Sequence, residues 1–520
     1  MKTQINIFSR QSLLSSNATL AYLALFNFLL YMFTSLIGQS WGYGYFGDEL
    51  YYIACAKHLA FGYVDHPPLA PFLLWIVIRT LGDSILAIRF LPALAGALTV
   101  FLTGLIARQI GAGKFGQFLA ALALAIAPIF MILCGFFSMN SFESLLWVAY
   151  GYVVIILIKR DTPRLWLLVG LLIGLGLLNK HTLSVYVISL FAGLLLTPAR
   201  KYFLSKWFWL GMLIAGVLII PNVLWQIQYG FPSLEFYRKA TVLKNIASSP
   251  VKILLDQMLF TNPVTVPIWV IGLYRYLFSK QGKPCRLFGW SYLILLVVMI
   301  AARSSRPDRI FAAYPVLFAA GALLIERGVQ QYHRRVLSTS IIAVLVAGGL
   351  VLIPLSLPIL PPATLLNYYR MFGESIRIEK GDVAELPLWL ADRFGWEEMV
   401  ATVARVYNSL SPEEQAIGAI FGDRYGNAGA VDFFGQKYHL PNAISNHNTY
   451  YLWGPGDATG EVVIVLGGNP EELRQLFKDV KQVVTLTCQY CRQLKNKPVY
   501  LCKGLQTPLK EIWPGIKHYE

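Results

Sequence analysis

The sequence predicts a mainly α protein, a polytopic bundle of about eleven transmembrane helices with juxtamembrane helices in its first outer loop, followed by a soluble C-terminal α/β domain. Of the 520 residues, 56% are hydrophobic and 14% are charged, and the mean hydropathy is +0.54. This composition is too apolar for an ordinary soluble enzyme. Apolar stretches of roughly 17–25 residues, the length of a membrane-spanning helix, recur along the chain. After residue 360 the composition changes to mixed polar sequence.

Helices are the only spanning form that fits these stretches, because an unpaired backbone group is costly in hydrocarbon. Apolar runs that meet basic ends predict spans at 21–38, 85–108, 115–134, 144–158, 164–179, 182–198, 205–221, 263–277, 287–302, 310–325 and 336–355. The first is expected to be a retained helix, since it lacks a small-residue cleavage site. The apolar segment 68–81 is expected to lie along the outer interface, because counting it as a span would export most basic loops.

The basic residues predict the orientation of these spans. The net charge of +16 comes from short clusters of basic residues between apolar segments. This distribution fits a membrane protein and not a nucleic-acid-binding protein. The positive-inside rule puts the N terminus and nearly all basic loops, including Arg334, in the cytoplasm. The loops 43–68, 137–143, 222–262 and 303–309 then face outward, where they can form one site.

Two domains are expected, a membrane domain over 1–360 and an α/β domain over 361–520, which parity places outside. Strand-like runs lie at 416–421 and 462–466, and helix-like runs at 396–410 and 470–480. Among the six cysteines, Cys488, Cys491 and Cys502 stand together. Three thiols make an incomplete zinc set, so a disulfide is favoured over a metal site, with its pairing left open.

Acidic residues cluster in the predicted outer loops. Asp48 and Glu49 follow the first span in a loop otherwise made of aromatic residues and glycines. Charge at a membrane edge is costly unless it is used or paired. A solvated pair is the ordinary alternative, but another outward acid, Glu143, and nearby cations weaken it. Asp65 and His66 stand at a bend, where His66 is either a ligand donor or a surface residue.

Several cations break the positive-inside pattern. They are Arg303, Arg306 and Arg309 in one outer segment and Arg238 and Lys239 in another. Guanidinium groups bind phosphate oxygens bidentately, so an anionic ligand explains the first group. Anionic lipid headgroups explain the second group equally well. Lys180, in a short outward turn, is either a ligand contact or a lysine that reaches from a helix end to the interface.

These residues resemble a known family, the polytopic glycosyltransferases of the C superfamily, in the bacterial branch related to protein O-mannosyltransferases and the lipid A aminoarabinose transferase. The resemblance covers about residues 45–326. Its motifs are Asp48-Glu49 with Tyr52, His66-Pro67-Pro68-Leu69, Arg89-Phe90-Leu91-Pro92, Leu177-Leu178-Asn179-Lys180, and Arg309 through Tyr314-Pro315. Asp48 matches the family's catalytic first-loop aspartate. Glu143-Ser144 resembles its acidic-proline pair, and His66 stands where the aminoarabinose transferases have lysine.

The resemblance implies inverting sugar transfer from a polyprenyl-phosphate-sugar to a lipid, glycan or protein acceptor, at the outer face of a bacterial inner membrane. The leaving phosphate needs cations, and the acceptor's proton needs a base, which is expected to be Asp48. Glu49 and Glu143 are expected to orient the acceptor. The expected substrate-binding residues are Tyr52, Asp65, His66, Arg89, Lys180, Arg238, Lys239, Arg303, Arg306 and Arg309. A divalent cation is the one cofactor these oxygen ligands suggest, held by Asp48 and Glu143 if one is used.

Two other functional classes are alternatives to a glycosyltransferase. A transporter or flippase of a lipid-linked or anionic substrate also has many spans and a basic cytoplasmic face. Transporters, however, usually place their sites near the bilayer midplane on broken, repeated helices, whereas this sequence shows few mid-span charges and no internal repeat. A non-catalytic lipid-binding or assembly protein is the third class, and it would tolerate Asp48→Asn.

Overall fold

The computed structural model describes residues 2–331, 335–373 and 379–520; Arg334 therefore lies outside the described residues. The helices are α1 (Lys2–Ser40), α2 (Gly47–Lys57), α3 (Leu69–Leu81), α4 (Ile85–Gln109), α5 (Lys114–Ala125), α6 (Pro128–Cys134), α7 (Met139–Arg160), α8 (Trp166–Asn179), α9 (Leu183–Leu195), α10 (Lys206–Gln228), α11 (Pro232–Leu243), α12 (Pro250–Phe260), α13 (Val266–Phe278), α14 (Arg286–Ala301), α15 (Tyr314–Gln331), α16 (Arg335–Ser356), α17 (Pro362–Arg370), α18 (Leu388–Ala391), α19 (Trp396–Asn408), α20 (Pro412–Ile417), α21 (Tyr425–Phe434), α22 (Thr449–Trp453), α23 (Pro470–Leu476) and α24 (Leu509–Ile512). The strands are β1 (Gly418–Gly422), β2 (Val462–Leu466), β3 (Phe477–Leu486) and β4 (Lys497–Leu505).

Seven helices in the described part of the chain are long and apolar enough to cross a membrane, and each coincides with a predicted span. They are Asn17–Ser40, Ile85–Gln109, Met139–Arg160, Lys206–Gln228, Lys280–Ala301, Pro307–Gln331 and Arg335–Ser356. In the last of these, 11% of the most apolar window is buried within the protein. Such a surface is stable only against lipid, so the chain is an integral membrane protein.

Three further predicted spans fall on helix pairs that bend sharply. The pair Lys114–Ala125 and Pro128–Cys134 bends by 65°, Leu183–Leu195 and Pro198–Leu204 by 109°, and Pro250–Phe260 and Pro263–Phe278 by 92°. In each pair the second segment begins at a proline, a residue that fits a helix start and that kinks or breaks a preceding helix. The described residues therefore hold seven spans, or up to ten if each bent pair is one span, where the sequence predicts about eleven.

The eleventh prediction, at 164–179, falls on a shorter helix. α8 has 14 residues, about 21 Å of helix, against a hydrocarbon core of about 30 Å. α3 is shorter still, with 13 residues, so the structure agrees with the prediction that 68–81 is not a full span. Its placement along the outer interface stays a prediction.

The chain divides into two compact units that do not follow the sequence in two simple blocks. The first unit contains Met1–Ile37, Arg89–Val223 and Ile246–Ile359. The second unit contains Gly38–Ile88, Leu224–Asn245 and Leu360–Glu520. The C-terminal residues thus form one compact unit together with the segment after α1 and a short segment around α11.

A four-stranded mixed sheet lies in the second unit, in the order β1-β2-β4-β3. β1 pairs with β2 in parallel, and the other two pairs are antiparallel. β2 reads Val-Val-Ile-Val-Leu and is buried throughout, as expected for a strand covered on both faces. The core on the sheet contains Ala419, Val463, Val465, Leu473, Phe477, Tyr500 and Cys502.

The expected helix over 470–480 is wrong for its last four residues. α23 ends at Leu476, and Phe477 begins β3, which pairs with β4. The segment from Val480 to Thr485 is rich in β-branched residues, which favour strands, and Lys478 and Lys481 of β3 are exposed. The charged residues made this strand resemble the polar face of a helix.

Candidate functional site

Asp48 lies in the first turn of α2, the first helix of the predicted outer loop 43–68. Its Oδ1 accepts a 2.8 Å hydrogen bond from the Tyr425 hydroxyl, which belongs to α21 of the same unit. The carboxylate is half-buried, and burial raises the pKa of Asp48 to about 6 although Lys244 and the Tyr425 hydrogen bond lower it. A carboxylate with this pKa is ionised near neutral pH and can accept a proton.

Glu49, its neighbour, has a different environment. It is fully buried, and its Oε2 accepts a 2.8 Å hydrogen bond from the backbone N–H of Phe46 at the start of α2. A carboxylate in this position satisfies a helix-terminal N–H and favours the helix dipole. The structure therefore separates the two acids, with Asp48 directed to a side chain and Glu49 capping the helix.

The predicted residues at the bend are brought beside α2 by Tyr51. Its hydroxyl donates a 2.7 Å hydrogen bond to Asp65 Oδ1 and lies 2.6 Å from the hydroxyl of Thr449. The Thr449 hydroxyl also accepts a 3.1 Å hydrogen bond from the backbone N–H of Val64. Thr449, in the C-terminal part of the chain, thus holds the bend of the predicted outer loop 43–68 in place.

His66 is fully buried, which excludes the surface residue, one of the two alternatives that the sequence left open. Its ring stacks on Tyr52 at 4.6 Å and packs against Tyr63 at 4.7 Å. Nδ1 lies 3.1 Å from the carbonyl oxygen of Pro67, and burial lowers the pKa of the imidazole. Tyr52 and His66 therefore pack the loop, and their predicted contact with substrate stays a prediction.

A polar pocket opens beside Tyr425 within the second unit. Its lining residues are Leu243, Lys244, Glu379, Lys380, Gly381, Arg424, Tyr425, His447, Arg492, Gln493 and Glu520. Four of them are lysine or arginine and two are glutamate. Arg492 is paired with Asp392 through contacts of 2.6–3.0 Å, whereas Lys244 lies 4.0 Å from Glu379. The pocket therefore offers positive charge near the carboxylate of Asp48.

The cations predicted on the 222–262 loop lie on α11. Lys239 forms an ion pair with Glu235 at 2.9 Å, and Lys517 pairs with the same carboxylate at 2.8 Å. Arg238 is exposed. Lys239 thus has an acidic partner within the second unit, and its role in substrate binding stays a prediction, as does that of Arg238.

The first unit contains another of the predicted acids, Glu143, in the first turns of α7. Glu143 Oε2 forms an ion pair with Lys180 Nζ at 2.7 Å. The same ammonium group donates a 2.8 Å hydrogen bond to Asn140 Oδ1. Both charged side chains are nearly buried, with exposed fractions of 7% and 12%. The structure therefore brings two predicted residues together, and Lys180 is not a lysine that extends into solvent.

The three predicted arginines of the 303–309 segment also lie in the first unit. Arg306 forms a two-pronged contact with Asp308, at 2.9 and 3.4 Å. Arg303 and Arg309 are exposed. Arg309 lies close enough to Glu143 for an electrostatic attraction between the two side chains. Exposed guanidinium groups are the better candidates for an anionic ligand, since Arg306 already has a carboxylate partner.

Arg89, on α4, is 1% exposed. A buried guanidinium needs partners inside the protein. The position of this side chain therefore does not favour a contact with substrate, and that role stays a prediction.

Cys488 and Cys491 form a disulfide, which selects one of the pairings left open by the sequence, and Cys502 is buried as a free thiol. In the described ranges no three His, Cys, Asp or Glu side chains are grouped to hold a metal ion.

Sequence reasoning missed Tyr425, His447 and Thr449. The missed signal is the position of Tyr425, which follows β1 after two residues and begins α21. In sheets with parallel strands, the segments after the carboxyl ends of strands commonly carry functional residues. His447 stacks on Tyr425 at 4.8 Å with an angle of 8° between the rings.

Comparisons with known proteins agree with this architecture. Residues 65–225 match the family model described as dolichyl-phosphate-mannose-protein mannosyltransferase. This range contains Asp65, Arg89, Glu143 and Lys180 but not Asp48. No curated protein sequence matches the chain at a significant level.

Solved structures give a match over nearly the whole chain. The crystal structure of ArnT from Cupriavidus metallidurans bound to undecaprenyl phosphate superposes with a TM-score of 0.60 at 14% identity, covering 92% of this chain and 97% of that one. Its apo form gives 0.59 with the same identity and coverage. The oligosaccharyltransferase AglB from Archaeoglobus fulgidus gives 0.43 at 13% identity, covering 86% and 66%, which is too low to support an inference. The chain thus has the fold of ArnT, and the match of residues 65–225 to the mannosyltransferase model agrees with the resemblance predicted from its motifs.

Proposed function

We propose that this protein is a membrane-embedded glycosyltransferase that moves a sugar from a polyprenyl-phosphate carrier to a lipid, glycan or protein acceptor. The observation that carries the proposal is the environment of Asp48, a half-buried carboxylate whose hydrogen bond comes from a phenol. The fold supports it, since a structure with the same fold is described as bound to undecaprenyl phosphate.

The proposed reaction is a single displacement. The acceptor's hydroxyl or amine attacks the anomeric carbon, the bond from that carbon to the phosphate oxygen breaks, and polyprenyl phosphate leaves with the electron pair. Asp48 takes the acceptor's proton in the transition state, a contribution of typically 10²–10⁴-fold. Attack opposite the phosphate inverts the anomeric centre.

Cations neutralise the phosphate as it leaves. We assign this role to Arg303 and Arg309, which are exposed, and a smaller part to Arg306. Glu143 and Lys180 form a paired site that orients bound groups by hydrogen bonds and not by proton transfer, because the ion pair occupies both charges. Glu49 acts through the helix that carries Asp48.

We also propose that the N terminus is cytoplasmic and that the Asp48 loop and residues 361–520 are extracytoplasmic, in a bacterial inner membrane. The Cys488–Cys491 disulfide supports an extracytoplasmic position for residues 361–520, since disulfides persist in oxidising compartments. Cysteines placed at position 48 and near the C terminus should be labelled by a membrane-impermeant reagent in intact cells. A cysteine at position 334 should be labelled only after permeabilisation, and the reverse pattern contradicts the topology.

The function is tested by sugar transfer from a polyprenyl-phosphate donor with purified parent and Asp48→Asn. The amide keeps the shape of the carboxylate but cannot accept a proton, so we expect a loss of about 10²–10⁴-fold in turnover with unchanged elution and melting. If the Asn variant keeps more than about a tenth of parental turnover, Asp48 is not the general base. Vesicle uptake without transfer in the parent would instead indicate a transporter.

A further inference from the structure

Tyr425 is the hydrogen-bond donor to Asp48, and the chemistry of the two groups fixes the direction. The phenol has one proton, and an ionised carboxylate only accepts. Burial and the nearby charge of Asp48 raise the pKa of Tyr425 well above its ordinary value, so the phenol keeps its proton. The bond, 2.8 Å long, occupies Oδ1 of Asp48. Oδ2 does not take part in this hydrogen bond, so it is the better placed oxygen to take the acceptor's proton.

The ring of Tyr425 is held on two sides. It stacks on Tyr51 at 4.4 Å with 25° between the rings, and on His447 at 4.8 Å with 8°. The backbone N–H of Tyr425 also donates a 3.1 Å hydrogen bond to His447 Nδ1. Stacked rings and a backbone hydrogen bond together leave the phenol little freedom, so its hydroxyl is a fixed reference for Asp48.

The helices that carry the two residues also approach each other without intervening side chains. A Cβ on Gly429 of α21 would lie 2.9 Å from the carbonyl carbon and oxygen of Leu50 on α2. Real Cβ atoms essentially never come this close to backbone atoms. Glycine at 429 therefore permits the close packing that sets Tyr425 against Asp48.

We propose that Tyr425 is a positioning residue for the transfer reaction, holding one oxygen of Asp48 so that the other faces the acceptor. This inference rests on the proposed role of Asp48 and assigns a function in the reaction to the C-terminal part of the chain. Tyr425 itself touches neither sugar nor phosphate in this role.

Tyr425→Phe removes the hydroxyl and keeps the stacked ring, so it is the variant of choice. A hydrogen bond to a charged group corresponds to roughly 10–100-fold in rate. We expect the Phe variant to lose about this much in kcat, with both donor and acceptor KM within about threefold of the parent. A role limited to folding would instead change melting and leave the kcat of the folded fraction intact.

The matched control is Tyr450→Phe. Tyr450 is also buried and donates a 2.6 Å hydrogen bond to a carboxylate, but that carboxylate is Asp432. The ring of Tyr450 lies in the same aromatic cluster as Tyr425, and its centroid is 6.3 Å from that of Tyr51. Loss of this hydroxyl should leave kcat within about threefold of the parent.

A double variant separates this inference from the proposed function. In the Asp48→Asn background, Tyr425→Phe should cause no further loss in kcat, because the phenol acts only through the carboxylate. A further tenfold loss in the double variant overturns the inference, as does a Phe variant with parental kcat. If Asp48→Asn is itself active, the proposed base and the inference fail together, whereas an inactive Asn variant beside a fully active Phe variant rejects the inference alone.

Fluorotyrosine at position 425 provides a second measurement should Tyr425→Phe fold poorly. Fluorine on the ring makes the phenol a stronger acid and changes its hydrogen bond to Asp48 while the ring keeps its shape. A series with increasing fluorine content should change kcat progressively. An unchanged kcat across the series overturns the inference.

Discussion

Asp48 and Glu143 are both acids near the start of a helix in predicted outer loops, yet the two units hold them differently. Asp48, in the second unit, is half-buried and accepts a hydrogen bond from the neutral phenol of Tyr425. Glu143, in the first unit, forms a close ion pair with Lys180. A carboxylate held by a neutral donor can still take a proton, whereas one neutralised by an ammonium is a poorer base. The comparison favours catalysis at Asp48 and orientation at Glu143.

The largest effect on stability should come from breaking the ion pair of the first unit. Glu143→Gln leaves the ammonium of Lys180 nearly buried and without its partner, and removing one partner of a buried pair costs about 3–5 kcal/mol. We expect a clearly lower melting temperature in detergent, which Lys180→Met added to Glu143→Gln should partly restore. Asp48→Asn, by contrast, should melt like the parent. Equal melting of the Glu143 and Asp48 variants would remove the distinction between the two acids.

The next largest effect should be on the apparent KM for the donor, and it should distinguish Arg306 from Arg303 and Arg309. Arg303→Gln or Arg309→Gln should raise the apparent KM for the polyprenyl donor by roughly 10–100-fold, as expected when a charge-assisted contact of about 1.5–3 kcal/mol is lost. Arg306→Gln should change the donor KM less, because this guanidinium already contacts Asp308. Lys201→Gln, an exposed lysine paired with Asp161, is the control. Unchanged donor kinetics in all three variants would make these arginines lipid-headgroup contacts.

The pH dependence of transfer tests Asp48 without any substitution. Since the pKa of Asp48 is raised to about 6, the base form is lost as the pH falls through 6. The rate, kcat/KM, should then drop about tenfold for each unit below that value. An ordinary aspartate would place this limb near pH 4. A profile that is flat between pH 4.5 and 7 would contradict a base whose pKa is raised to about 6.

The smallest effect should come from Glu49→Gln. The amide oxygen can still accept the hydrogen bond of the Phe46 N–H, and only the charge at the helix start is lost. We expect a loss of about 0.3–1 kcal/mol in stability and a kcat within about threefold of the parent. A 100-fold lower kcat would give Glu49 a direct part in the reaction.

The membrane-spanning part of the fold could be predicted from the sequence because each span is a local property, a run of apolar residues of sufficient length. The bent pairs and the strand from Phe477 were harder, since bending and strand pairing depend on neighbours that are distant in sequence. His66 shows the same limit. It is buried by Tyr52 and Tyr63 of its own loop, but the loop is held through Tyr51 by Thr449, far along the chain.

The candidate site was predictable only in part for the same reason. Asp48 and Glu143 could be singled out because acids are rare near apolar segments. Their different roles could not, because the roles depend on the partners Tyr425 and Lys180. The contact between Asp48 and Tyr425 joins positions 377 residues apart, and no local pattern in either segment predicts the other.

This long separation has a consequence for biosynthesis. The second unit combines Gly38–Ile88 with Leu360–Glu520, so the helix that carries Asp48 emerges from the ribosome long before its partner. At 5–20 residues per second, synthesis of the 377 residues between Asp48 and Tyr425 takes roughly 20–75 s. The segment that carries Asp48 and Tyr51 must wait that long before Tyr425 and Thr449 can contact it. The proposed site around Asp48 is therefore incomplete until the segment that carries Tyr425 has been synthesised, and a nascent chain without this segment should not catalyse the proposed transfer.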